Sequence, residues 1–222
     1  RILAKDNHNF YATYNLLWAY YKTEQYEKFY ETTLEALTKW PEEPSIHHFL
    51  YLHYLYQGGK DYIKARDAIL QAIKFDPNNA LYYRELGEIY LINREPDKAE
   101  KQLMKAVELS PQNAEYRSRL ALAQIRLHKV KESLKNISEC LKEEPDDESN
   151  LDNAGMVFLL SGDIDKAEEL FRESLRRFPT YNYFQSHLNW VLREKSSKES
   201  RLRKNLNYTP LYLRQNDRRR FF

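Results

Sequence analysis

Six histidines and one cysteine are the side chains with the most chemical potential in this sequence of 222 residues. His47, His48 and His53 lie close together, which invites a metal site. The spacing argues otherwise. No His-Glu-x-x-His run occurs, no two histidines stand four apart, and Cys140 has no second cysteine to share a metal with. Gly58-Gly59 is not followed by the Lys-Ser/Thr of a phosphate loop, and reads as a turn between helices. Carboxylates are plentiful but fall at ordinary helical spacing beside Lys and Arg, as in "DKAEKQ" and "DIDKAEELF", where they serve solvated faces. These residues predict no catalytic centre, no metal and no cofactor; the expectation is a protein that is not an enzyme.

The elements that position these residues announce themselves through proline. Pro77, Pro111, Pro145 and Pro179 are each 34 residues apart. Aligning 80–113, 114–147 and 148–181 on that period brings like residues together. With places numbered from the start of each unit, place 7 holds Leu86, Leu120 and Ala154, and place 8 holds Gly87, Ala121 and Gly155. Place 20 holds Ala99, Ser133 and Ala167, place 24 Leu103, Ile137 and Phe171, and place 27 Ala106, Cys140 and Ser174. Apolar residues recur at helical spacing in two blocks per unit, separated by turn residues such as Asn93-Arg94 and Ser161-Gly162. Pro96 suits the first turn of a second helix, and the periodic proline stops that helix at its far end. Small residues at places 8 and 20 let the two helices approach closely. Cys140 occupies a small-residue place, so a buried, inert thiol is expected.

This pattern resembles the tetratricopeptide repeat family, whose consensus is matched by Leu86-Gly87-Glu88-Ile89-Tyr90 and by Ala99, Leu103, Ala106 and Pro111. The resemblance implies an all-α, right-handed superhelical solenoid of about five helix-turn-helix repeats over residues 1–198. The expected units are 10–43, 46–79, 80–113, 114–147 and 148–181, with a capping helix over 182–195. Unit 10–43 departs from the pattern, with Leu17 and Phe29 in small-residue places, and His53 does the same in the next unit; repacked early hairpins are expected. Pro44 and Ser45 read as two residues inserted between the first two units.

In this family the first helix of each unit lines a concave face through places 2, 5, 6, 9, 12 and 13. Carried over by register alone, the resemblance implies partner-binding positions at Tyr11, Tyr14, Asn15, Trp18, Tyr21, Tyr51, Tyr54, Arg84, Arg119, Arg126, Asn153 and Met156. Residues 10–62 hold 15 of the chain's 31 aromatic residues. Rings with a polar tip suit recognition, but an irregular core would also call for such bulk, as would a contact with a second copy of the chain. Relatives that clamp the C-terminal carboxylate of heat-shock chaperones carry Lys at place 5 and Asn at place 9 of their first unit. Here those places are Tyr14 and Trp18, which argues against that activity.

Charge is unevenly distributed. Residues 193–222 hold ten Lys/Arg against three Asp/Glu, whereas the preceding 192 residues hold 25 against 30. The segment 199–222 is expected to be a basic tail. Three functions follow in order of preference: a non-enzymatic scaffold or adaptor for another protein or peptide, a nucleic-acid- or membrane-associated module acting through residues 193–222, and a regulatory domain of a larger enzyme. Self-association of tail and body is a further option. A lone cysteine excludes an internal disulfide and fits a reducing compartment. No apolar run approaches the roughly 18–20 residues of a membrane span. A cytoplasmic location is favoured; the start at Arg1 leaves an exported or envelope location open.

Overall fold

The computed structural model describes residues 2–56 and 61–196; the expected basic tail at 199–222 lies outside them. Among the described residues there are eleven α-helices and no strand. They run α1 (Ile2–Lys22), α2 (Tyr26–Lys39), α3 (Pro44–Tyr56), α4 (Tyr62–Phe75), α5 (Ala80–Ile92) and α6 (Pro96–Leu109), then α7 (Ala114–Arg126), α8 (Val130–Glu143), α9 (Glu148–Ser161), α10 (Ile164–Arg177) and α11 (Asn182–Ser196). The fold class is the expected one: helix-turn-helix repeats followed by one additional helix. The chain divides into two compact units, residues 1–89 and 90–222, with the boundary inside α5.

Helix boundaries follow local chemistry. Asp61, Asn113, Asp147 and Asp163 each accept a hydrogen bond from the backbone N–H three residues on, which satisfies a donor that the helix cannot. At the other end, Trp40, Asp76, Ser110, Glu144 and Phe178 each donate their N–H to the carbonyl of the place-27 residue. The periodic proline comes next and ends the helix. Its own carbonyl is not left open. His47 Nε2 lies 2.8 Å from Pro41 O, Tyr83 Oη 3.0 Å from Pro77 O, and an Arg117 guanidinium nitrogen 3.1 Å from Pro111 O. In each case a side chain six residues on donates to a proline carbonyl. The turn between first and second helix needs one residue in left-handed conformation, at place 15: Glu24, Arg94, His128 and Gly162 have φ of 56°, 62°, 62° and 93°.

The helix starts correct the expected register of the second repeat. Second helices α4, α6, α8 and α10 begin 34 residues apart, at 62, 96, 130 and 164. Every second helix, α2 included, begins 18 residues before the next first helix. The two extra residues therefore lie between α3 and α4, in the 57–61 connection. They are not Pro44 and Ser45, which open α3 itself. Pro44 stands at a first helical position, where its missing N–H costs nothing. Counted from Pro44, Tyr51 falls at place 8 and, past the insertion, Ala65, Ile69 and Ala72 at places 20, 24 and 27.

That register explains the packing of each pair. Places 20, 24 and 27 are at most 1% exposed in all five repeats. Place 8 faces them, and in two pairs bulk is traded across that contact. In the last pair, Gly155 leaves room for Phe171: a Cβ on Gly155 would lie 2.4 Å from the ring. In the first pair the bulk is reversed, with Leu17 at place 8 and Thr33 at place 24, both fully buried. The Thr33 hydroxyl donates to Phe29 O at 2.6 Å, so burying it leaves no unpaired donor. Beyond residue 90, Leu103, Ile137, Phe158, Phe171, Phe184 and Val191 belong to one continuous core.

Because Phe171 is fully buried and has nowhere to retreat, Gly155→Ala is expected to destabilise the protein by about 1–3 kcal/mol. Gly→Ala in an open helix position would instead stabilise it. Urea denaturation measures the sign; a stabilised variant would mean that α9 and α10 are not in this contact.

Candidate protein-binding faces

In each repeat the first helix keeps part of its surface free of its own second helix, and only some of the residues expected to bind a partner reach it. Consecutive first helices are joined by a recurring contact from place 5 of one to place 6 of the next. In the unit of residues 1–89 the first such pair is Tyr14 with Phe49, ring centroids 5.4 Å apart. The second is His48 with Glu85: Nε2 and Oε2 are 2.8 Å apart, near enough for an ion pair when the imidazole is protonated, although off the line of a hydrogen bond. In the unit of residues 90–222, Asn153 Nδ2 donates to Ser118 Oγ at 2.9 Å, and Ser118 donates in turn to Glu115 O. The last pair is Asp152 with His187 Nδ1, 2.6 Å apart. An aromatic contact, a His–Glu pair, an amide–hydroxyl pair and an Asp–His pair thus fill one geometric role.

The face of α1 is a row of rings. Tyr14, Trp18 and Tyr21 are half-buried, and successive centroids are 6.4 and 5.7 Å apart at steep interplanar angles. Phe49, 1% exposed, is the hub beneath them and meets Tyr14, Trp18 and Phe29 edge-on or tilted. Tyr11 stands clear of this cluster at 62% exposure, and Asn15 is exposed beside it. Burial raises the Tyr21 hydroxyl pKa, and the Glu85 carboxylate adds to the shift, so a negative charge lies within range of that phenol. Arg84 lies 3.5 Å from a Glu88 oxygen and 3.7 Å from one of Glu85.

Two expected face residues sit elsewhere. Tyr51 is 1% exposed; in the corrected register it fills a small-residue place and stacks on His48 at 5.7 Å. Tyr54 is half-buried among Tyr30, His53 and the Lys64 ammonium, between helices. Its hydroxyl pKa is pushed up to about 12 by burial first and by Tyr30 second. Phe49 and His48 were absent from the expected set because counting from 46 put them at the wrong places. Beyond residue 90, Arg126 donates to Leu91 O at 3.1 Å and Arg119 stands 3.9 Å from Glu115. Asn153 and Met156 are 3% and 4% exposed, so their side chains are floor and not surface.

The chemistry-bearing residues have structural employment. His47 holds Pro41, His53 stacks on Tyr30 at 4.0 Å, and His128 occupies a left-handed turn. Cys140 Sγ lies 3.1 Å from Ala114 O; burial, the largest effect, raises its pKa against the pull of Arg117. Such a thiol is a poor nucleophile. Among the described residues no group of three or more His, Cys, Asp and Glu is placed to hold a metal ion, and no helix is long and apolar enough to cross a membrane. A charged cleft along α10 and α11 neutralises itself: Lys195 lies 2.8 Å from Asp165 and 2.5 Å from Glu168, while Arg176 and Arg177 both bind Glu173.

Residues 68–101 match the family model of the tetratricopeptide repeat. No curated protein matches the sequence. Among solved structures, the chain is similar to YrrB, described as a tetratricopeptide repeat protein with an unusual peptide-binding site. The TM-score is 0.62 at 18% identity, over 82% of this chain and 90% of that one. TTC0263, a tetratricopeptide repeat protein of Thermus thermophilus, gives 0.66 at 18% identity, over 82% and 97%. A chain of the Cut9–Hcn1 hetero-tetramer of the APC/C gives 0.69 at 15% identity; 86% of this chain is covered but only 37% of that one. Family match and fold agree: residues 68–101 carry a tetratricopeptide repeat, and the fold is that of the solved tetratricopeptide repeat proteins.

The Lys195 contact holds the Glu168 pKa below the ordinary carboxylate value, chiefly through the hydrogen bond. A depressed carboxylate stabilises the fold above its unfolded pKa of about 4.3, and that contribution vanishes as pH falls through the folded value. Acidification below about pH 4 is therefore expected to loosen α11, seen as a change in Trp190 fluorescence before global unfolding. Lys195→Met should abolish that separate acid step; an unchanged acid transition would exclude the contact as its source.

Proposed function

We propose that this protein is a non-enzymatic scaffold that binds an extended or helical segment of another protein across the faces of its first helices. The observation that carries the proposal is the row Tyr11, Tyr14, Trp18 and Tyr21. Its members lie on one side of α1 above a packed aromatic core; Tyr11 is 62% exposed, and Tyr14, Trp18 and Tyr21 are half-buried with part of each ring still open to water. Exposed rings on a rigid floor supply apolar contact area and hydroxyl or indole donors at little ordering cost. YrrB, of the same fold, is described by its peptide-binding site, which agrees with a segment-binding role. Arg119 and Arg126, half-buried on α7, would add cationic contacts for acidic residues of a ligand.

Selection of peptides from a random library on the immobilised protein tests this. Selected peptides are expected to lose at least about tenfold in affinity for Tyr11→Ala/Trp18→Ala, as recognition rings typically carry upwards of 1 kcal/mol each. Trp18 also packs on Phe49, so a thermal melt accompanies the measurement, and Tyr11→Ala alone, on a mostly exposed ring, should still weaken binding. Equal affinity for wild type and both variants would overturn the proposal.

A further inference from the structure

Two sides of each later first helix are taken up by packing. Places 3, 7 and 10 lie against the preceding second helix and places 8 and 11 against its own, as α7 packs on α6 and α8, and α9 on α8 and α10. The strip between these sides is apolar at its centre on α7, α9 and α11. Leu122, Met156 and Trp190 stand at place 9, and Ile125 and Leu159 at place 12; none is more than 7% exposed. On α11 this burial needs a cause. It is the last of the described helices, so neither a second helix of its own nor a following first helix stands beside Trp190 among the described residues. The indole is nevertheless 6% exposed, whereas Trp18, at the same place on α1, stays half-buried. Trp is large and seldom so fully covered.

The sequence beyond α11 holds a segment of matching character. Residues 205–213 carry no charge, and Leu206, Tyr208, Leu211, Tyr212 and Leu213 are apolar or aromatic. Arg201, Arg203 and Lys204 precede them, and Arg214 follows. Pro210 is unsuited to a helix interior and favours an extended course. Extended, residues 206–213 reach up to about 29 Å; three helices packed side by side span about 16–20 Å between their outer axes. The link between Ser196 and Leu206 reaches up to about 30 Å, and Trp190 lies only about 9 Å back along α11 from Ser196. The segment is therefore long enough to turn back and cross the strip.

We propose that residues 206–213 occupy this strip across α7, α9 and α11 of the same molecule, so that a partner reaches it only by displacing them. Charge supports the pairing: residues 199–222 hold seven Lys/Arg against two Asp/Glu, while residues 1–192 hold 25 against 30. At the margins of the strip Glu115, Asp152 and Glu194 stand among Arg119 and Arg126, so the contact itself is chiefly apolar and the opposite net charges add a longer-range attraction. Covalent attachment supplies the rest. A short flexible link gives an effective concentration in the millimolar range, so a contact too weak to hold a free peptide still stays formed. The ring row of α1 belongs to the other compact unit and takes no part.

Trp18→Phe and Trp40→Phe together leave Trp190 as the one indole of the full chain. In that background Leu206→Ser/Leu211→Ser/Leu213→Ser is expected to raise acrylamide quenching of Trp190 severalfold with helical content unchanged, and a synthetic peptide of residues 199–222 to reverse the rise. Equal quenching with and without the serines overturns the proposal. Quenching of the parent chain that increases on dilution would place the segment of a second copy in the strip, and equally refutes an occupant from the same molecule. Amide hydrogen exchange on the unmodified chain reads the other side of the contact: residues 206–213 should exchange more slowly than 214–222, and lose that difference in the serine variant. An unprotected 206–213 overturns the proposal. No ligand enters these measurements, so they are decided separately from the peptide selection.

Discussion

The rest of the structure depends on one constraint: each first helix must be covered from two sides. Its own second helix takes places 8 and 11, and the preceding second helix takes places 3, 7 and 10. Neither cover suffices alone, because a lone hairpin leaves an apolar stripe in water. What remains of the helix surface is a narrow strip through places 2, 5, 6, 9, 12 and 13. Places 5 and 6 are then largely spent on joining neighbouring first helices. Few positions of that strip stay open to solvent; on α1, Tyr11 is mostly exposed and Trp18 partly so.

The place 5–6 contacts show how little chemistry this role prescribes. Tyr14–Phe49 is held by dispersion and ring electrostatics, Ser118–Asn153 by a buried hydrogen bond, and Asp152–His187 by a short contact between polar groups. In the last two the polar atoms are paired, which is the condition for burying them without penalty; His48 Nε2 and Glu85 Oε2 approach without a hydrogen bond. The same tolerance appears at places 8 and 24, where Gly155 with Phe171 and Leu17 with Thr33 fill similar space from opposite sides. In these two pairs bulk is exchanged across the contact, as close packing demands.

Most of the fold was legible in the sequence because it rests on periodic covalent facts. Four prolines at one spacing marked the ends of the second helices, and small residues at places 8, 20 and 27 marked where helices touch. The error at Pro44 has a physical origin. A loop can lengthen without disturbing the helices on either side, so two extra residues between 57 and 61 leave no mark in the apolar pattern, whereas a proline at a helix start resembles a break. That slip of two moved Tyr51 from a core place onto a supposed face and hid Phe49. The binding residues were less legible for a different reason. Tyr and Trp are amphipathic, and nothing local tells whether a ring fills an irregular core or faces a ligand; Tyr54, Trp18 and Tyr11 span that range within one hairpin pair.

The contacts at places 5 and 6 carry a consequence for how such a chain can change its length. Each link joins one repeat to its immediate successor only, so the order of repeats is written into mated pairs. Excising residues 148–181 would bring Ser118 opposite His187, and a hydroxyl can still bond an imidazole. Excising the first pair would strip Phe49 of Tyr14, Trp18 and Phe29, while transposing repeats would confront Asp152 with residues chosen for a different mate. The array is therefore free to lose modules by deletion at compatible seams but is locked against shuffling. Its grammar is one of adjacent words, not of a repeated letter.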